Sequence, residues 1–466
     1  MQPRLILTLL LSATTLVAGQ SSAQSAGAGV SSGGATPWLA DRALGEGAGI
    51  KAGSVEIHPG VSAETGPDSN FLQRASSAIE EENSGPPVAS WRFRVTPQVS
   101  VRTLDRSQES GKDQRTIAKP IVMFDASARA SYNEMIALRS GFGSGFAKMR
   151  NVEGGGSLLL RILPDRVWSA TLGGGYNYVF EPSNQGGFGA RYSRHLLSAQ
   201  AGIKWSPGGG SFQWTLLEYG TRFTLFDDAG FTLYDNGAHF FTTHGMWRFL
   251  PKTAVLYDGK LDIIRYGNDE VNDAEALQAR IGLNGLLTKK LALLVMGGWA
   301  ASFYRASAPG NIARNYDGIV GKAEAKWFLS SDGRLKEGQA DVGASSLAAG
   351  YLRDYADSYL ADFFRRDRVY AKASYLIGGR VITSAEGGVS FLGYPDLNTS
   401  DGTLGAFSET RIDVKGFVEY RPLTTVGINL QLLYDQNISK VLDFGSFSDD
   451  LSFNRFRAMI GARWFL

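Results

Sequence analysis

Residues Glu409–Arg421 read ETRIDVKGFVEYR, Thr425–Gln436 read TVGINLQLLYDQ, and Phe453–Leu466 read FNRFRAMIGARWFL. Along an extended chain successive side chains point to opposite faces. In the first stretch Thr410, Ile412, Val414, Gly416, Val418 and Tyr420 share one face, and Glu409, Arg411, Asp413, Lys415, Glu419 and Arg421 the other. The second stretch sets Val426, Ile428, Leu430, Leu432 and Tyr434 against Gly427, Asn429, Gln431 and Asp435. The third sets Phe456, Ala458, Ile460, Ala462, Trp464 and Leu466 against Arg455, Arg457, Gly461 and Arg463. Soluble sandwiches alternate too, but their strands run to about five or six residues. Tyr and Trp near the ends of the apolar faces match the interfacial girdles of membrane barrels.

The same pattern extends back along the chain. Strands are predicted near 54–64, 89–104, 119–134, 146–163, 166–180, 191–206, 211–226, 238–250 and 253–266. They continue near 274–287, 291–304, 317–329, 340–353, 366–377, 380–393, 408–421, 425–436 and 453–466. Parity slips at Leu216–Leu217, which predicts a bulge. Short connections (Pro164–Asp165, Pro207–Gly210, Pro251–Lys252, Lys289–Lys290, Gly378–Gly379, Arg421–Leu423) alternate with longer polar ones. In hydrocarbon every amide must be paired, so such a sheet has to close. The fold expected is all-β, a transmembrane antiparallel barrel of about eighteen strands over 54–466, whose even parity puts both termini in the periplasm.

Composition agrees. The 466 residues include 57 Gly and no Cys, with 11% aromatics and a formal net charge of +2. Abundant Gly and aromatics favour turns and sheet. Lack of Cys excludes a disulfide scaffold, Cys-ligated metal and a thiol nucleophile. The balanced charge argues against a nucleic-acid partner. The longest later uncharged run, Leu291–Tyr304, falls short of the ~18 residues of a spanning helix. Residues 1–23, with Arg4 before LILTLLLSATTLV, read as a signal peptide, which implies export and a Gram-negative outer-membrane destination among lipid and lipopolysaccharide. Residues 24–53, rich in Gly, Ala and Ser, read as a disordered periplasmic linker. That linker and the Asp105–Lys119 connection are the segments that could plug the pore.

With the polar face turned inward, the lumen gains Arg92, Arg94, Lys260, Arg280, Lys322, Lys326, Arg366, Arg368, Lys372, Arg411, Lys415, Arg455 and Arg457. Fewer acids accompany them, and Lys and Arg lining a pore favour anions. Cross-strand pairing of these charges, with no role in selection, is the structural alternative. His58, His195, His239 and His244 form no HExxH motif, and no G-x-S-x-G elbow is present. Neither an enzyme nor a cofactor is expected.

Val55–Arg74, VEIHPGVSAETGPDSNFLQR, carries Pro59–Gly60 and the run Asp68, Ser69, Asn70, Phe71. It resembles the opening strand and first loop of outer-membrane β-barrel porins from exopolysaccharide loci, whose members partner a Wza-like export protein. The resemblance implies a channel of that strand number that passes a polysaccharide outward through a periplasmic Wza-like partner. Ile460, Ala462, Trp464 and Leu466 resemble the terminal signal that the barrel-assembly machinery reads, although Leu follows Phe465 where an aromatic residue is usual. The residues themselves leave open a second function, a general or anion-preferring diffusion porin for small solutes.

Overall fold

The computed structural model describes residues 49–75, 87–104, 120–139, 143–147, 149–164, 166–180, 193–207, 211–269, 271–306, 313–329, 345–358, 362–399, 402–440, 442–443 and 448–466. The leader (1–23), the linker as far as residue 48 and the 105–119 connection lie outside the described residues.

Eighteen antiparallel strands form a closed wall. They are β1 (Val55–Asp68), β2 (Ser90–Thr103), β3 (Val122–Ala137), β4 (Asn151–Ile162), β5 (Trp168–Val179) and β6 (Arg194–Trp205). Next come β7 (Phe212–Phe226), β8 (Asn236–Leu250), β9 (Thr253–Tyr266), β10 (Asp273–Leu286), β11 (Leu291–Arg305) and β12 (Tyr316–Phe328). The wall ends with β13 (Ser346–Asp357), β14 (Phe363–Ile377), β15 (Val381–Tyr394), β16 (Phe407–Leu423), β17 (Val426–Ile438) and β18 (Phe453–Phe465). Each pairs with its chain neighbour, and β1 pairs with both β2 and β18, which closes the ring.

The partition of side chains is inverted relative to a soluble protein. Val414 is 47% exposed, Ile460 56% and Ile281 64%, whereas Asp68 and Glu419 are 0% exposed. Apolar residues face outward and charges inward, as lipid around a polar interior requires. Exposed aromatics gather near both ends of the outer face. Trp168, Trp247, Trp327, Tyr420 and Trp464 lie toward one end, and Trp91, Tyr132, Tyr176, Phe303 and Phe391 toward the other. No described helix is long and apolar enough to cross a membrane.

We call the two ends of the barrel the turn end and the loop end. At the turn end Gly378 and Gly379 have φ of 57° and 70°, and Arg380 N–H donates to Ile377 C=O at 3.1 Å. Two consecutive left-handed residues make a turn that matches strand twist, and glycine takes it without strain. The expected bulge is present: the register of β7 against β8 shifts between Thr215 and Glu218, and that of β6 against β7 between Ile203 and Lys204.

Several boundaries differ from the sequence reading. The first strand runs four residues beyond Glu64 to Asp68, through Gly66–Pro67. Residues 146–163 do not form one strand: Gly143–Ala147 is a single helical turn, here α1, and β4 starts at Asn151. Packing breaks the alternation there, since Phe146 and Met149 turn into a buried cluster with Phe71, Leu72, Val88, Met135 and Phe180. The strand read near 340–353 is Ser346–Asp357. Ile50–Ala52, placed in the linker by composition, is a short strand paired with Val55–Ile57. The alternation of short and long connections is broken twice at the turn end, by the long links after β2 and β12.

Val414→Arg, on the lipid face, is expected to cost about 2–4 kcal/mol near the midplane, while the neighbouring inward change Lys415→Ala leaves folding intact. Urea unfolding in lipid vesicles measures both, and equal damage would contradict the assignment of faces.

Candidate functional site

The lumen is built by parity. Opposite Glu64 stand Arg94 on β2 and Gly461 on β18; opposite Asp68 stand Ser90 and Arg457. Extending that register round the ring puts every basic lumenal candidate on the inner face.

Most of these cations are matched. Arg411 makes a two-pronged bond to Asp435, Nε to Oδ1 at 2.9 Å and Nη2 to Oδ2 at 2.6 Å. Arg368 donates to Asp413 at 2.7 Å and to Glu386 at 3.2 Å, and Lys372 lies 3.4 Å from Glu386. Arg366 holds Asp354, Nε to Oδ1 at 2.8 Å, and Arg280 holds Asp258 at 2.9 Å. Lys260 pairs with Asp262, and Lys322 lies 3.7 Å from Glu324. Lys326 sits over the Phe328 ring. Two-pronged Arg–carboxylate pairs fix geometry as well as charge. The excess of base expected inside is therefore smaller than the sequence suggested, because Glu56, Glu64, Asp68, Asp354 and Asp435 also face inward.

Inward cations without an ion-paired carboxylate remain at several places among the described residues, Lys204 and Arg222 included, and the densest group of arginines lies in one sector. Arg92, Arg94, Arg455 and Arg457 converge with Asp68 on adjoining strands, and Arg129 on β3 lies close to Arg94. Asp68 and Glu64 are consumed by Arg455, Arg92 and Arg94. Among the described residues neither Arg457 nor Arg129 forms an ion pair with a carboxylate, although Glu153 on β4 acts on Arg129 from a distance, and the exposed inward Lys415 on β16 forms none either.

The residues that carried the family resemblance meet at the seam where the wall closes. Pro59 C=O accepts from Leu466 N–H at 3.1 Å, and Gly60 stands opposite Phe465. Asp68 takes both prongs of Arg455, at 2.9 and 2.6 Å. The Ser69 hydroxyl accepts from Phe456 N–H at 2.8 Å, and Ser69 N–H donates to Phe456 C=O at 2.9 Å. Asn70 Nδ2 donates to Asn454 C=O at 3.1 Å and to Arg74 C=O at 2.8 Å. Phe71, buried, lies beneath the guanidiniums of Arg92 and Arg455. Together they form a clasp tying β1 to β18. Glu64 adds to it by accepting from Gln431 on β17 at 2.6 Å. Sequence reasoning missed Glu64 and assigned Asp68 to a loop because Gly66–Pro67 reads as a strand breaker.

The histidines are dispersed. His239 and His244 point to opposite faces: His239 stacks on Tyr219 outside, while His244 bonds Thr215 inside. His195 lies against Tyr176 and 2.8 Å from Asp227, and His58 bonds Leu466 C=O at 3.0 Å. At the loop end Asp362 accepts from Arg314 N–H at 2.6 Å and from Asn272 Nδ2 at 2.9 Å. Burial lifts its carboxyl above the usual range, and those two bonds only partly oppose the lift.

No family model matches the chain, and no curated protein matches it. Among solved structures it is similar to OpdQ of Pseudomonas aeruginosa, with 12% identity over 88% of this chain and 97% of that one and a TM-score of 0.45. It is also similar to a BenF-like porin of Pseudomonas fluorescens (11% identity, 89% and 99% covered, TM-score 0.45). OccAB4 of Acinetobacter baumannii follows at 10% identity, with 88% and 98% covered and a TM-score of 0.44.

Asp68→Ala leaves Arg455 and Arg92 facing one another with no shared carboxylate. Breaking such a pair from one side costs about 3–5 kcal/mol. The loss is expected as a lowered urea midpoint and as loss of the compact, heat-modifiable band on gel electrophoresis, and Arg411→Ala at the separate Asp435 pair should leave the β1–β18 seam closed.

Proposed function

We propose that this outer-membrane barrel is a diffusion channel for small hydrophilic solutes, with a preference for anions. A wall of this strand number leaves a water-filled interior. The observation that carries the preference is the arginine sector, where Arg92, Arg94, Arg129, Arg455 and Arg457 crowd together. Asp68 and Glu64 are engaged by Arg455, Arg92 and Arg94, and Arg457 and Arg129 hold no described carboxylate in an ion pair, Glu153 acting on Arg129 only from a distance. Cations with low-dielectric walls behind them raise the local concentration of anions and lower the barrier to their passage. The paired charges elsewhere hold the wall and keep the lumen wet.

The turn end is taken to face the periplasm, with β1 starting and β18 ending there. Ile460, Ala462, Trp464 and Leu466 then serve as the signal for the assembly machinery. Polysaccharide export with a Wza-like partner is drawn chiefly from the resemblance of Val55–Arg74, and barrel closure already accounts for the key residues of that segment. The diffusion reading is therefore preferred.

Planar-bilayer recordings under a potassium chloride gradient test it. The native chain should show steady open steps with a reversal potential on the chloride side. Replacing both Arg457 and Arg129 by Glu should move that potential toward potassium, with little change in conductance. An unmoved potential would exclude the arginine sector as the source of selectivity. If deletion of the chain abolished surface polysaccharide, export would regain first place.

A further inference from the structure

One seam of the wall is only half sewn. β12 and β13 are paired from Phe328–Ser346 up to Gly321–Arg353, and no ladder pair follows among the described residues. Yet β12 continues to Tyr316, paired with β11, and β13 continues to Asp357, paired with β14. Toward the loop end the two strands have parted, and the described ends of β13 and β14 lean inward. Asp357 accepts from the Tyr304 hydroxyl on the inner face of β11 at 2.5 Å. Phe363 stacks on Tyr304 at 6.2 Å and meets Tyr316 edge-on at 5.3 Å. Asp362 is tied to Arg314 and Asn272. Tyr355, on the outward parity of β13, packs with Phe363 on the inner-face residues Ala300, Tyr316 and Val320 and stacks on Tyr316 at 4.4 Å, so this pair of rings covers the gap from the lumen side.

The chemistry of the gap differs from the rest of the lumen. Its inner lip is Ala300, Val320 and Tyr316, all buried, with Phe363 packed on them. Its outer lip is Ile319, 72% exposed, beside Trp299, whose Nε1 bonds Asp317. An apolar track thus leads from a charged interior to the lipid face where, among the described residues, β12 and β13 share no ladder pair. Unpaired sheet facing hydrocarbon is costly unless something covers it, and here aromatic rings do so.

We propose that the β12–β13 seam is a side portal from the lumen to the membrane for small lipophilic aromatic solutes, held shut by Tyr355 and Asp357 at the end of β13 and Phe363 at the start of β14. The Tyr304–Asp357 bond is the latch, and the Tyr316–Tyr355 stack is the door. This route is separate from axial passage of polar anions and does not depend on it.

The test uses the full chain in the outer membrane and follows entry of N-phenylnaphthylamine, a fluorophore that brightens in lipid. Tyr304→Phe removes only the latch hydroxyl and should raise the entry rate about tenfold, the scale of one charge-assisted hydrogen bond. Because the chain has no Cys, Tyr316→Cys with Tyr355→Cys can be oxidised to stitch the gap, with closure verified by loss of free thiols. Oxidation should bring entry down to that of cells lacking the chain, and reduction should restore it, with axial chloride conductance the same in both states. Equal entry in the stitched and reduced proteins, or no response to Tyr304→Phe, would overturn the portal. Loss of chloride selectivity without change in fluorophore entry would instead count against the axial reading alone.

Discussion

A sheet in lipid has to end on itself, and this one does so across a junction whose backbone ladder is interrupted. On β1 the residues whose backbone groups face β18 include Pro59 and Pro67, and neither has an N–H to give. The β1–β18 ladder accordingly skips from Thr65 to Asp68. Gly66 sits in the gap so close to β18 that a Cβ there would lie 1.9 Å from Ala458 C=O. Side chains supply what the backbone lacks: Asp68 to Arg455, Ser69 to Phe456 and Asn70 to Asn454. Closure of the ring, and with it the existence of an interior, depends on these contacts.

That dependence explains which parts of the fold were legible in the sequence. Strands such as Phe407–Leu423 and Phe453–Phe465 could be read because one face meets lipid and the other water, and period-two alternation records the two solvents directly. The bulge at Thr215–Glu218 was visible for the same reason, as a slip of parity. Boundaries failed where a third environment intrudes. Phe146 and Met149 face a buried cluster and neither lipid nor water, so their apolar character mimicked a strand. Gly66–Pro67 looked like a terminus because a chain-local rule cannot know that the neighbouring strand makes no demand on that nitrogen.

The lumen was legible by residue type and less so by charge balance. Parity assigns Arg366, Arg368 and Arg411 to the interior, but their partners Asp354, Asp413 and Asp435 come from other strands. Cross-strand distance is invisible without register, so a list of cations overstated the free charge. What survives pairing is densest around Arg457, beside the closing clasp. The residues that hold the ring together also set the field in its interior. Selectivity and closure therefore share carboxylates, and a change at Asp68 touches both.

The outer face carries one more asymmetry. Trp168 and Trp205 lie 6.1 Å apart with tilted rings, Trp205 and Trp214 lie 6.5 Å apart, and Trp247 stands opposite Phe212 in the same sector near the turn end. Indoles this close exchange excitation faster than they emit, so the cluster glows as a unit. Brominated acyl chains confined to a single leaflet would darken it from one side of the bilayer only, and the chain thus contains its own optical compass for which way up it was inserted.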